Sequence, residues 1–274
     1  MAATYIHGHG EPVLRSHRWR TVQNSAAYLL PYLRPGHRLL DVGSGPGTIT
    51  ADLARLVGPE HLTALERTED ALALTRAELE RQRVAGPRLL VGDATDLPLP
   101  DDSVDVVHAH QVLQHVADPV AVLRQMLRVC RPDGVVAARD ADYAAFAWYP
   151  RHPALDRWMR LYQSVARAGG GDPDAGRALY AWARAAGAAW VVPSTSTWLH
   201  VGEEARWWGE LWADRVSDPA GTFARTALER GLADQDELAA LADGWREWAG
   251  EPDAWFCLLH GEVLCGPAGD PPEA

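Results

Sequence analysis

Between residues 37 and 140, short apolar runs alternate with amphipathic stretches, and this alternation constrains the fold more than any other feature. "HRLLDV", "HLTALE", "PRLLVGD", "SVDVVHAH" and "VVAARD" read as five successive strands. Between them the spacing predicts a helix over Thr48–Val57 with Ile49, Leu53 and Leu56 on one face. It predicts another from a Thr68 cap to about Val84, and a third over Pro119–Cys130 that Pro132 and Gly134 close. Strands alternating with helices imply right-handed βαβ units and an α/β, mostly parallel sheet with helices on both faces. Ligands of such sheets sit beyond the carboxyl ends of the strands. The loop after the first strand, Glu66, Asp93, His110 and Asp142 all fall at such ends.

The flanks are less regular. Val13–Leu33 reads as a helical stretch in an N-terminal arm or cap over 1–35, ahead of a core over 36–142. Residues 143–174 read as a helical lid insertion, with 144–174 helical and ending in "GGGDPD". The part over 175–266 reads as a helix at Ala175–Ala186, the strand "AAWVVPSTSTWLH", helices near 203–216, 221–230 and 234–249, and the strand "AWFCLLHGEVLC". A flexible tail over 267–274 is expected. Eleven of the twelve tryptophans lie beyond residue 147, the other being Trp19, so the second half carries most of the aromatic bulk.

Composition removes several chemistries. The formal charge is −11, which argues against sequence-independent nucleic-acid binding and against an anionic membrane surface. All 26 basic residues are arginine, so neither a Schiff-base lysine nor a P-loop lysine is present. Cys130, Cys257 and Cys265 are too scattered for a disulfide framework or a zinc knuckle. With no basic-plus-apolar leader and no long apolar run, the expectation is a soluble, cytoplasmic protein acting on a small molecule, with self-association left open.

In "LLDVGSGPGTIT" glycines stand at 43, 45 and 47, with threonine at 48 where the dinucleotide fingerprint wants its third glycine. Asp41, two residues before Gly43, works against a pyrophosphate and favours a cationic ligand. Glu66 ends the second strand, where an acid can hold both hydroxyls of a ribose. Asp93, with Ala94 next, can read an exocyclic amine and a ring nitrogen. Three acids on three strand ends suit a positively charged nucleoside without phosphate. A nicotinamide-dependent oxidoreductase remains the alternative enzyme.

"LLDVGSGPGTIT", "LTALERTEDAL", "VGDATDLPLPDDSVDVVHAHQVLQHVADP" and "LRVCRPDGVV", in this order and spacing, resemble the motifs of class I S-adenosyl-L-methionine-dependent methyltransferases. The small-molecule branch, which includes ubiquinone and menaquinone C-methyltransferases, is the most similar. The resemblance covers roughly residues 36–142. It implies a Rossmann-like seven-stranded sheet whose last strand is antiparallel, with helical lid insertions. It also implies that Gly43, Ser44, Gly45 and Gly47 pack against the methionine part of the cofactor, with Asp41 near its ammonium. Glu66 would grip the ribose, Arg67 would lie beside the adenine, and Asp93 with Ala94 would read its edge. His110 and Gln111 would touch the methionyl end and face the acceptor. A cofactor-binding regulatory subunit that performs no catalysis is the non-enzymatic alternative.

Methyl transfer asks mainly for alignment of a nucleophile, with a proton acceptor where that nucleophile needs one. Histidine supplies candidates: His115 and His110 as catalytic residues, with His7 and His9 in the N-terminal arm and His200 after the sixth strand. His115, at the start of the helix after the fourth strand, is the favoured base or anchor. Tyr5, His7, His9, His115, Asp142, Trp148, Tyr149 and Trp198 are the expected substrate contacts, with Trp207 and Trp208 as further candidates for the cavity wall. No carboxylate cluster beside His108, His110 and His115 fixes a metal geometry, so no metal is expected.

Overall fold

The strands β1 (Leu39–Val42), β2 (Leu62–Glu66), β3 (Arg88–Val91), β4 (Val104–His110) and β5 (Cys130–Ala141) are all parallel. In the computed structural model, which describes residues 16–273, β6 (Ala147–Tyr149), β7 (Trp190–Val201) and β8 (Trp255–Gly266) complete one sheet. Its order runs β3-β2-β1-β4-β5-β8-β6, with β7 also on β8. β8 is antiparallel to β5, β6 and β7. All four residues of β1 are buried, as expected of a central strand covered on both faces. β6 pairs the opposite end of β8 from β5, so it prolongs the line of β5 past a short break.

The helices α1 (Val22–Ser25), α2 (Thr48–Val57), α3 (Glu69–Arg81) and α4 (Pro119–Val129) belong to the first half. α5 (Pro153–Ala168), α6 (Leu179–Ala185), α7 (Glu203–Ser217), α8 (Thr222–Glu229) and α9 (Gln235–Ala249) follow. Local chemistry fixes their starts. Thr68 accepts from the Ala71 amide to cap α3, and Asp118 accepts from the Ala121 amide ahead of Pro119 in α4.

The flanks differ from their periodicity. Over 16–33 the expected single helix is broken: Thr21 and Asn24 form a capping box, α1 ends at Ser25, and Ala27–Tyr32 is a 3-10 helix containing Pro31. Of 144–174 only α5 is α-helical, because Ala147–Tyr149 is taken up by pairing with β8. The expected helix at Ala175–Ala186 opens with a 3-10 turn over Ala175–Ala178.

Three apolar clusters hold the sheet. Leu29, Ile49, Leu53 and Leu79 pack one face, and Val122, Leu123, Met126 and Leu179 pack the other. The third gathers Trp158, Tyr162, Trp212, Trp245, Trp248 and Phe256 from α5, α7, α9 and β8. Trp158 lies 4.5 Å from Trp212 and 4.9 Å from Trp245, both edge-on, the favoured geometry for aromatic pairs. Among the described residues no helix is long and apolar enough to cross a membrane.

Candidate active site

The loop between β1 and α2 is built for close approach. Gly43, Gly45 and Gly47 have φ of +71°, +55° and +88°, a region that side chains disfavour. A Cβ on Gly43 would meet the Val112 side chain at 2.5 Å, and one on Gly47 would meet the Thr75 backbone at 3.0 Å. The Gly43 amide donates to the Leu65 carbonyl at 2.8 Å, which ties the loop to the end of β2. Thr75 of α3 pins it from the other side: its hydroxyl donates to the Gly45 carbonyl at 2.7 Å and lies 2.9 Å from Ser44 Oγ. Thr75 was missed in the sequence because a threonine inside an amphipathic helix carries no motif.

Glu66 lies against this loop. Its Oε1 accepts from the Gly45 amide at 2.5 Å and its Oε2 from the Arg67 amide at 3.2 Å. Burial raises its pKa, opposed by these backbone bonds. Asp93 is exposed and uses one oxygen, Oδ1, for the Thr95 amide and hydroxyl at 2.8 and 2.7 Å, bonds that lower its pKa. Ala94 is half-buried, and Arg67 is exposed and exerts its charge on Asp93.

Asp41 needs correction. Its oxygens are both committed, Oδ1 at 2.8 Å from His108 Nδ1 and Oδ2 accepting from Thr50 Oγ1 at 2.6 Å, and the residue is buried. It braces β1 against β4 and α2 beneath the loop and presents no open carboxylate to an ammonium.

At the carboxyl end of β4, His110 is buried beside Trp198 and His260, with ring centroids 5.8 and 6.5 Å away. Neither of its ring nitrogens has a partner among the described residues, and burial pushes its pKa well down, so it is neutral. Gln111 follows at φ +54°, a position where strain marks functional sites. Its amide nitrogen is 3.0 Å from His260 Nε2, and its backbone N–H donates to the Arg139 carbonyl at 2.7 Å. His115 ends a 3-10 turn over Leu113–His115, with the Gln114 side-chain amide 2.9 Å from its Nε2. Burial, with Arg20 and Arg215 adding to it, drives its pKa down to about 3.

A narrow cavity of about 20 Å³, room for little more than one water molecule, opens beside Gln111. Tyr143, Phe146, Trp198 and Trp208 wall it, and Arg20 and Arg215 bring positive charge. Several expected substrate contacts lie elsewhere. Asp142 is closed by a bidentate Arg177, with both contacts at 2.6 Å, so it fastens β5 to the turn before α6. Trp148 stacks on Phe256 at 5.8 Å, and Tyr149 is 60 % exposed, so neither ring walls this cavity. Trp207 packs against the tryptophan core, while His200 stacks on Trp208 at 4.7 Å with its pKa lowered by burial to about 4. Tyr5, His7 and His9 lie outside the described residues.

Sheet order, a glycine loop braced by α3 and an acid from β2 on a loop amide define a class I, Rossmann-like fold built for a nucleoside cofactor. The model of a methyltransferase domain matches residues 33–187. An uncharacterized methyltransferase of Schizosaccharomyces pombe is 33% identical over 272 residues, covering 95% of both chains. A demethylmenaquinone methyltransferase of Listeria welshimeri is 30% identical over 136 residues, which is 49% of this chain and 54% of that one. In structure, the YcgJ protein of Bacillus subtilis superposes with a TM-score of 0.59 at 19% identity, covering 90% of this chain and all of that one. The chain belongs to the methyltransferase family. It is an S-adenosyl-L-methionine-dependent enzyme, and the loop and Glu66 fit that cofactor, offering bare backbone and a carboxylate where a Cβ or a phosphate would not be accommodated.

Proposed function

We propose that the protein methylates a small, partly apolar or aromatic metabolite of secondary or quinone-type metabolism at carbon, oxygen or nitrogen. The observation that carries this reading is that Gln111, at the strand end expected to face the cofactor, also lines the aromatic cavity of Tyr143, Phe146, Trp198 and Trp208. Partial likeness to a demethylmenaquinone methyltransferase supports it.

S-adenosyl-L-methionine, when bound, supplies an electrophilic methyl group that a nucleophile takes in line, with the thioether as leaving group. Gly43, Ser44, Gly45 and Gly47 would hold its methionine part, Glu66 the ribose, and Asp93, Ala94 and Arg67 the adenine. The aromatic walls would have to part to admit an acceptor, and closed around it they would orient it and exclude water, which strengthens electrostatic interactions within. His115 and His110, kept neutral by burial, would be the imidazoles nearest the acceptor in this reading, although neither lines the cavity itself. With its pKa near 3, His115 is a hydrogen-bond acceptor and anchor more than a strong base. α5 and α7–α9, which pack together with β8 in the tryptophan core, would serve as the cap in this reading.

Incubation with methyl-labelled cofactor and candidate acceptors should give labelled product. His115→Ala should lower turnover at least tenfold and leave S-adenosylhomocysteine affinity nearly intact; unchanged turnover removes His115 from the chemistry. Cofactor binding with no transfer to any small acceptor would favour the regulatory-subunit reading. Thermal stabilisation by NAD and not by S-adenosylhomocysteine would overturn the assignment of the loop.

A further inference from the structure

His260 of β8 stands opposite Ala141 of β5 with no exposed surface, and its ring lies 4.4 Å from that of Trp198. Its Nδ1 is 3.1 Å from the Leu258 carbonyl, a group that can only accept, so Nδ1 carries the proton. Burial pushes the pKa of His260 well down, and the cations Arg139 and Arg20 act in the same direction, against the bond to Leu258. Arg139 is itself wholly buried and donates to Glu262 Oε1 at 3.1 Å. The His260 ring is therefore neutral near neutral pH, and its Nε2 is a bare lone pair.

That lone pair fixes the side chain of Gln111, 149 residues away along the chain. Gln111 Nε2 lies 3.0 Å from His260 Nε2, and an N–H must face the lone pair, so the amide turns its nitrogen toward β8. The opposite flip would set Gln111 Oε1 against the same lone pair. The backbone is held as well, at φ +54° with its N–H donating to the Arg139 carbonyl at 2.7 Å. Oε1 is left with no hydrogen bond among the described residues, on a side chain that lines the cavity. A space of about 20 Å³ takes a single hydroxyl or amino group, and the arginines that line it, Arg20 and Arg215, bring donors only.

We propose that His260 is a positioning residue for methyl transfer: it turns the Gln111 amide so that Oε1 receives one O–H or N–H group, carried by the acceptor at or next to the atom that takes the methyl. An amide oxygen is too weak a base to remove that proton, so Gln111 orients the nucleophile and does not deprotonate it. This rests on the reading of the β4 end as the methyl-transfer end, and it narrows the small acceptor to one bearing a hydroxyl or an amine.

The test is calorimetric titration of the full chain with S-adenosylhomocysteine and with sinefungin, the cofactor analogue in which a carbon bearing an amino group replaces the methylated sulfur. That amino group should donate to Gln111 Oε1, so sinefungin should bind roughly fivefold or more tightly than S-adenosylhomocysteine. Gln111→Ala should bring the two affinities within twofold of each other, and so should His260→Leu, which frees the amide to turn. His260→Gln, which offers an oxygen to the same N–H, should restore the preference, a result that repair of packing alone would not give. Equal binding in the unaltered protein, a preference that survives in Gln111→Ala or His260→Leu, or no recovery in His260→Gln each overturns the proposal. Should a His260 variant fail to fold, nitrogen-15 NMR of the unaltered protein takes its place. A protonated Nδ1 and a bare Nε2 are expected on His260, and the reverse tautomer overturns the proposal. Binding of neither compound would instead overturn the cofactor reading of the site.

Discussion

Asp140 has no exposed surface; one oxygen accepts from the Gln114 amide at 3.1 Å, and the other has no partner among the described residues. Burial raises its pKa from 3.8 to about 7. The folded state therefore holds a proton that the unfolded state releases near pH 4. The stability this contributes is complete below pH 4 and is lost as pH rises through about 7. The displacement corresponds to an energy on the order of 4 kcal/mol. Asp140→Asn keeps the accepting oxygen and cannot ionise. Its melting temperature should match the parent at pH 4 and exceed it by several degrees at pH 8; the same offset at both pH values would refute this origin. Arg139 and Asp140 stand side by side in "VVAARDAD", and two charges at the end of an apolar strand were the available signal that both are buried. Their partners, Glu262 and Gln114, came from segments that sequence spacing could not bring together.

At the scale of elements, the loop after β1 is held by α3 as much as by its own glycines. Thr75 is fully buried and spends its hydroxyl on the Gly45 carbonyl and on Ser44. Thr75→Val keeps the shape and removes both bonds. We expect S-adenosylhomocysteine affinity to fall roughly five- to tenfold, in line with about 1 kcal/mol for a hydrogen bond. Calorimetry would show it, and unchanged affinity would mean that the glycines alone set the loop. Local signals served well here: α2 has the bounds its periodicity gives, and Thr68 caps α3. They served poorly in the N-terminal stretch, where Thr21, Asn24 and Pro31 break an apparent helix, and over 147–149, where pairing with β8 overrides helical spacing.

Across the whole molecule, a tryptophan core sits beside the sheet's own two apolar layers. Trp158 is wholly buried among Tyr143, Tyr162, Trp212, Trp245 and Phe256. Trp158→Ala should cost roughly 3–5 kcal/mol in chemical denaturation. A loss below 1 kcal/mol would show that the cluster tolerates a void. The abundance of tryptophan in the second half is thus mainly structural, and only Trp198 and Trp208 reach the cavity beside Gln111.

The sequence by itself determined the α/β class, the order of the first five strands, the glycine loop and the acids at the ends of β2 and β3. These follow from local periodicity, from turn chemistry and from residues a fixed distance apart along one chain. Only the tertiary structure decided which polar groups are already spent. Asp41 goes to His108 and Thr50, and Asp142 to Arg177, while two nitrogens of Arg139, beside Trp198, have no partner among the described residues. A carboxylate oxygen can accept more than one hydrogen bond, as Asp93 Oδ1 does, so what takes Asp41 and Asp142 out of reach is burial together with their partners, and that depends on packing.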